Sequence, residues 1–358
     1  MTLKMNRLNR LLLVELFVML AQQILAVPPP TYIDGRPQAI RRLEVRDQGV
    51  VLKHGGGPSD CDIRGAREAI VFEQKGVYYL HYDGAGPRGW LACLATSKDL
   101  LHWTKHGPVL DFGPKGRRDS ASASSPWVFF DGKEWQMFYL GTPNVSPAPN
   151  FIPSFPYLTM KAHSQAPEGP WQKQYEVVPF STKSNTYYSA TASPGYVLKQ
   201  AGEYLMFFSA STGYPGVKRT LSIARTKDLN GSWAIQPEPI VPPEEQIENS
   251  SLYYERRSKT WFLFTNHIGI NDRHEEFTDA VWVYWSQDLN HWDPRHKAVA
   301  LDGNNCTWSK NCIGMPSVVK IGKRLAMLYD APGGESLSHM NRDIGLAWID
   351  LPLEAPGG

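Results

Sequence analysis

An all-β fold, and within that class a five-bladed β-propeller, is what this 358-residue sequence predicts. Three observations carry the prediction. A polar turn, Ser/Thr-x-Asp-Leu followed by Trp, is written three times: SKDLLHW at 97–103, TKDLNGSW at 226–233 and QDLNHW within 285–292. Between 60 and 350 the chain is a succession of short apolar runs split by Gly, Pro, Asp and Asn, the punctuation of strands. Trp103, Trp171, Trp233 and Trp292 recur roughly sixty residues apart, which suits a repeat of four strands per unit.

The units follow in order. REAIVFE (67–73), GVYYLHY (76–82) and WLACLATS (90–97), with the turn to Trp103, make the first. SPWVFFDGKEWQMFYL (125–140) with YLTMKAHS (157–164) makes the second, and SPGYVLKQAGEYLMFFS (193–209) with LSIAR (221–225) the third. SSLYYERRSKTWFLFTN (250–266) with AVWVYW (280–285) makes the fourth, and MPSVVKIGKRLAMLYD (315–330) with IGLAWIDLP (344–352) the fifth. The tight polar segments DGKE, QAGE, RRSK and IGK read as hairpin turns. Unit five ends after its third strand, and VVLK (50–53) is the segment available to supply the fourth and close the ring. A two-sheet sandwich does not account for a fivefold repeat. The Ser and Asp of the repeated motif suit turn capping, and its Leu and Trp suit packing between blades, which makes that motif structural.

Composition bounds the function. Net charge is +2, with no basic cluster outside the N-terminus, so nucleic acid is not expected as a partner. Residues 1–26 place Lys4, Arg7 and Arg10 before LLLVELFVML and Ala26 before a proline run, the order of an export signal, against the alternative of an amphipathic helix. The apolar run is too short to span a bilayer. The expected organisation is a signal peptide over 1–26 and one catalytic propeller over 27–358, secreted or periplasmic, with 27–60 closing the ring. In an oxidising compartment Cys306 and Cys312 can close a small loop, and Cys61 with Cys93 is the weaker pairing. No cysteine pair has zinc-site spacing. Four sequons occur, at Asn144, Asn230, Asn249 and Asn305.

In a propeller, the segment entering a blade's first strand and the one leaving its second lie on the same face. On that face fall Asp62, Glu68, Asp83, Asp119, Glu248 and Asp330, with His267, His274, Glu275, Glu276 and Asp279 in the loop after FLFTN. Carboxylates gathered with histidine and aromatic rings suit sugar chemistry, since glycoside cleavage needs one acid and one carboxylate. Asp62, Glu248, His267 and Glu275 are the catalytic candidates. Glu68, Trp90, Asp119, Trp127, His274 and Asp330 are the substrate-binding ones, with the two tryptophans as platforms for sugar faces. For each, the competing reading is a strand-end residue that merely caps a turn. No metal ligand set is assigned, although carboxylates converging on an axis admit a structural Ca²⁺.

The chain resembles the five-bladed glycoside hydrolases of families 43, 32, 62 and 117. The resemblance rests on the ATSKDLLHW-type turn, on SASSPWVFFDGKEWQMFYLGT (122–142) and on IENSSLYYERRSKTWFLFTNHIG (247–269). Family 43 implies three carboxylates on successive first strands. Here Ala66-Arg67-Glu68-Ala69 replaces its Ala-Arg-Asp-Pro, and Ser125-Pro126 and Ser193-Pro194-Gly195 stand where its other two acids belong. Family 117 is similar in arrangement: it implies an Asp in blade one and a His shortly before a Glu in the fourth-blade loop. Asp62, His267 and Glu275 match that order, and for the further acid that family 117 places between them Glu248, opening blade four, is nearest by position. With the export signal, the expected function is a secreted, exo-acting hydrolase of an oligosaccharide or polysaccharide, the inserts 142–156 and 267–279 walling one end of the pocket so that only a terminal sugar enters. Inversion is expected if His267, charged by a neighbouring Glu275 or Glu248, protonates the leaving oxygen while a carboxylate activates water. The alternatives are a carbohydrate-binding propeller without catalysis, and a phosphorylase or transglycosylase using Arg67, Arg117, Arg118 and Arg273.

Overall fold

The computed structural model describes residues 38–273 and 275–357. Residues 1–26, read as an export signal, and His274 lie outside the described residues. Among the described residues there is no α-helix, only two single turns of 3₁₀-helix at Pro58–Asp60 and Pro243–Glu245. Among those residues, therefore, no helix is long and apolar enough to cross a membrane.

Twenty strands form five four-stranded antiparallel blades. Blade one is Ala66–Gln74, Val77–Gly86, Gly89–Ser97 and Trp103–Pro108. Blade two is Ser122–Phe130, Trp135–Thr142, Tyr157–Ser164 and Gln172–Lys173. Blade three is Thr191–Gln200, Glu203–Ser211, Arg219–Thr226 and Ala234–Ile235. Blade four is Ile247–Glu255, Thr260–Ile270, Glu276–Ser286 and Lys297–Leu301. Blade five is Gly314–Ile321, Arg324–Ala331 and Asp343–Asp350, with Arg46–Leu52 as its outer strand.

The repeated turn does what its chemistry allows. Ser97 Oγ accepts the Asp99 and Leu100 amides, and Asp99 Oδ1 accepts those of Leu101 and His102. Thr226 and Ser286 accept the amides of Asp228 and Asp288 in the same way. The following tryptophan then packs on the second strand of the preceding blade. Trp171 meets His81 edge-on, Trp233 meets Phe138, and Trp292 meets Phe207. Large aromatic area is thus buried at each blade seam rather than within a single sheet.

A second repeat is geometric. The first strand of every blade is interrupted at one place, between Arg67 and Ile70, Ser124 and Trp127, Ser193 and Tyr196, Glu248 and Ser251, and Gly314 and Ser317. In four of the five bulges a non-glycine residue takes a left-handed conformation: Glu68, Ser125, Asn249 and Met315. Blade three has Pro194 there, whose ring forbids positive φ. Such a bulge turns its amide out of the ladder, and the second strand of the preceding blade supplies the acceptor. Glu68 N–H donates to Asp330 (2.8 Å), Ser125 N–H to Asp83, and Asn249 N–H to Ser209 (2.8 Å). Pro194 has no amide hydrogen to donate, and the matching position of blade two, Leu140, has no acceptor side chain.

His81, fully buried, donates from Nε2 to Pro167 O (3.0 Å), and burial pulls its pKa down to about 3. The folded protein thus refuses a proton that the unfolded chain accepts near 6.5. The stability His81 contributes is complete above that pH and is lost as pH falls from 6.5 towards 3. Urea unfolding at pH 7 and pH 5 is expected to show a drop of about 2 kcal/mol from this residue, and His81→Phe should flatten that slope.

All four cysteines are free thiols. Cys306 faces Tyr329 and Cys312 faces Arg342, so the expected Cys306–Cys312 loop is not formed, whereas Cys61 and Cys93 meet sulfur to sulfur at 2.7 Å. Asn249 is buried, with its amide nitrogen donating to Asn266, so that sequon is closed to modification.

Candidate active site

A pocket of about 510 Å³ opens on the face where first strands begin and second strands end. Its floor is built from the bulges: Arg67 and Glu68, Ser124 and Ser125, Ser193 and Pro194, Glu248 and Asn249. One wall comes from the 142–156 insert and its neighbours, with Phe155 stacked edge-on against Tyr157 at 4.9 Å and near Tyr214 at 5.7 Å. Another comes from Glu275, Glu276 and Phe277, and a third from Trp90 and His339.

Two acidic centres face this pocket from blades that are not neighbours in the ring. On the blade-one side, Glu68 accepts from Arg67 (2.5 Å) and from the Ser125 hydroxyl, and its amide is fixed by Asp330. Asp83, 3 % exposed, lies beside it on the second strand, with Ser125 bonded to both its carboxylate oxygens. Burial, and then the Glu68 carboxylate, push Asp83 well above the usual carboxylate range, with Arg67 opposing. On the other side, the Arg219 guanidinium bridges Glu248 (2.6 Å) and Glu276 (2.9 Å) and stands 5.8 Å from the Phe155 ring. Tyr157 lies between the centres. Burial pushes its phenol up to about 12, with Glu248 and Glu68 pulling against Arg219 and Arg67.

Several expectations are corrected by this geometry. Asp62 does not reach the pocket: fully buried, it pairs with Lys105 (2.5 Å) and accepts from Tyr82. Asp119 repeats that arrangement in blade two, with Lys173 (2.6 Å) and Tyr139. Both are internal struts, because each carboxylate is anchored by a lysine from its own blade's outer strand. Trp127 follows the bulge and turns to the opposite mouth of the propeller, where it lines a cavity with Phe129 and Trp135. Asp330 is buried behind the floor, ion-paired with Arg342, and reaches the site through the Glu68 amide and through its charge on Arg67 and Asp83. His267 is buried on Trp282 at 3.8 Å, with Nδ1 against Asp279 (2.6 Å) rather than against Glu275 or Glu248. Trp90 lines the pocket, but its ring is covered by Arg67 at 5.2 Å, so it supports a cation instead of forming a platform.

Glu68, Glu248 and Glu275 do line the pocket, Glu275 from the rim, where it accepts from Asn271. Sequence reasoning passed over Arg219, Ser125, Tyr157 and His339 and left Asp83 and Glu276 unranked. Asp83 and Glu276 were on the correct face, but nothing local separates them from Asp62. Arg219 opens a third strand, where the topological filter does not look.

The donor set does not suit Ca²⁺: Glu68, Glu248 and Glu276 are each paired with a guanidinium. Among the described residues no group of three or more acidic, histidine or cysteine side chains is placed to hold a metal. Of the four arginines considered for phosphate, only Arg67 lines the pocket, while Arg117 lies over Tyr175 and Arg118 donates to Ser181.

Fold and site together define a five-bladed propeller with an acidic pocket at one mouth. The same architecture is found in solved glycoside hydrolases. The BT0996 RGII complex superposes with a TM-score of 0.65 at 15 % identity, covering 87 % of this chain and 94 % of that one. A family 117 glycoside hydrolase from the marine bacterium Zobellia galactanivorans gives 0.59 at 14 %, over 87 % and 93 %. The catalytic domain of the Coprinopsis cinerea family 62 α-L-arabinofuranosidase gives 0.59 at 12 %, over 87 % and 98 %. At these identities the likeness is one of fold. No family model matches the sequence. A 1,2-β-oligomannan phosphorylase of Thermoanaerobacter sp. (strain X514) is 40 % identical over 56 residues, 15 % of this chain and 19 % of that protein.

Proposed function

We propose that the protein is an exo-acting glycoside hydrolase that releases a terminal sugar with inversion. The observation that carries this is the pair Glu68 and Glu248, set on non-adjacent blades and both lining one pocket of about 510 Å³. Glycoside hydrolysis with inversion requires two carboxyl groups flanking the sugar, one protonating the leaving oxygen and the other taking a proton from water. Glu68 delivers the proton, because it shares a hydrogen-bonded site with Asp83, whose hold on a proton burial strengthens. Glu248, bound to Arg219, activates the water. Phe155 and Tyr214 offer the apolar surface for the sugar face, and the 142–156 insert blocks further chain on that side, which favours attack at an end.

Phosphorolysis is the second reading, favoured by the short match to a phosphorylase. It needs cations free for phosphate, and both pocket guanidiniums already hold carboxylates. Purified protein is therefore expected to release reducing sugar from oligosaccharides in phosphate-free buffer, and proton NMR of the first product should show the anomer opposite to the substrate's. Sugar 1-phosphate formed only when phosphate is added would overturn hydrolysis, and retained configuration would overturn the single displacement. A pure carbohydrate-binding role predicts binding with no release. Export belongs to the same proposal, with mass spectrometry of the secreted chain expected to show an N-terminus near Val27.

A further inference from the structure

One hydroxyl joins the two carboxyl groups on the blade-one side. Ser125 Oγ contacts Glu68 Oε2 and lies 3.4 Å from Asp83 Oδ2, while the Ser125 amide is used on Asp83 Oδ1. A serine hydroxyl has one hydrogen to donate and lone pairs to accept. If both carboxyl groups were ionised, that hydrogen would satisfy one, and the other would face an oxygen lone pair in a nearly water-free place. Both contacts become hydrogen bonds only when one carboxyl carries a proton. Glu68 is already bound to Arg67, and among the described residues no cation is directly paired with Asp83. The groups facing Asp83 are Glu68, Arg67, Asp330 and the Cys93 thiol.

We propose that Ser125 is a proton relay, with Asp83 storing the proton that Glu68 delivers. This rests on the hydrolase reading above. The step balances: the Asp83 O–H bond breaks as Ser125 Oγ takes that proton, and the Ser125 hydroxyl gives its own hydrogen to Glu68 Oε2. Glu68 passes it to the leaving oxygen and ends ionised, as it began. Asp83 is left as the carboxylate and is recharged from the proton that Glu248 took from the attacking water and released to solvent. Asp83 supplies a buried acid whose partner at the sugar is a residue with pocket access. Its raised pKa, a consequence of burial and of Glu68, accords with the storage role.

Asp83→Asn and Ser125→Ala test it. Asparagine reproduces the hydrogen-bond pattern of protonated Asp83, accepting from the Ser125 amide and donating to its hydroxyl, but has no proton to give. Each variant should lose on the order of a hundredfold in kcat on phenyl glycosides of the sugar the wild type cleaves, with KM little changed. Each should be close to wild type on the 2,4-dinitrophenyl glycoside of the same sugar, whose leaving group needs no proton. A purely structural role would lower both substrates together, and that result, or unchanged rates on both, overturns the relay. Glu68→Gln is the control for the underlying reading: if it too leaves phenyl glycoside cleavage intact, the hydrolase assignment of Glu68 fails. Infrared spectra need no substrate and keep the two questions apart. At pH 7 the wild type should show the C=O stretch of a protonated carboxyl that vanishes in Asp83→Asn and shifts in Ser125→Ala. Absence of that band in the wild type, or its survival in Asp83→Asn, overturns the proposal.

Discussion

Glu248→Gln is expected to abolish most hydrolysis, lowering kcat on the order of a hundredfold or more, on substrates with good and poor leaving groups alike. The amide keeps the shape and can still meet Arg219 through its oxygen, but it cannot take a proton from water. The arrangement limits collateral damage, because Arg219 retains Glu276 as an ionic partner when Glu248 is neutral. Folding should therefore be preserved, and circular dichroism with a thermal melt checks that before rates are compared. Retained activity in this variant would move the base elsewhere, with Glu275 the remaining rim carboxylate.

Lys105→Met is expected to be the most destabilising of single surface-to-interior changes, costing about 3–5 kcal/mol in urea unfolding. Asp62 has no exposed surface, and among the described residues Lys105 provides its cation, within a cradle that also takes the Lys53 and Gly55 carbonyls. Methionine keeps the length of the stem and strands a buried charge. Adding Asp62→Leu should recover most of the loss, since an apolar pair replaces an ion pair without an orphan. Equal losses in the single and double variants would mean the cost lies in the carbonyl cradle instead. Lys173→Met should behave alike through Asp119.

The architecture was readable because it is repetitive. Turn and tryptophan recur about every sixty residues, and the structure places Trp171, Trp233 and Trp292 each on the blade before it. The site was only half readable, for a related reason. Asp62 and Asp119 invited a catalytic reading as acids ahead of a first strand. Yet both precede, by twenty residues, a tyrosine that donates to them. A feature present in two blades is more simply a strut than a catalyst. Glu68 and Glu248 are the departures: the residues equivalent to Glu68 are Ser125, Pro194, Asn249 and Met315, and those equivalent to Glu248 are Arg67, Ser124, Ser193 and Gly314. Recognising them requires the bulge register, and that register was hidden because its left-handed residues are not glycines. Arg219 was hidden more deeply, since its partners come from two segments of the next blade that are distant in sequence.

The five bulges have an implication for how such a protein changes. In blades one, two and four the bulge holds its residue in a left-handed conformation fixed by an amide bond to the blade behind it, independently of which side chain is presented. The mouth therefore behaves as a socket board in which occupants of those positions are exchanged without rewiring the sheets. Moving an acid from blade one to blade two would rotate the chemistry by a fifth of a turn while the walls stay where they are. Descendants of one ancestral ring can in this way part company in the bond they break long before they part company in shape. The Pro194 position, lacking both the amide and the acceptor behind it, is the one socket where that exchange requires two substitutions at once.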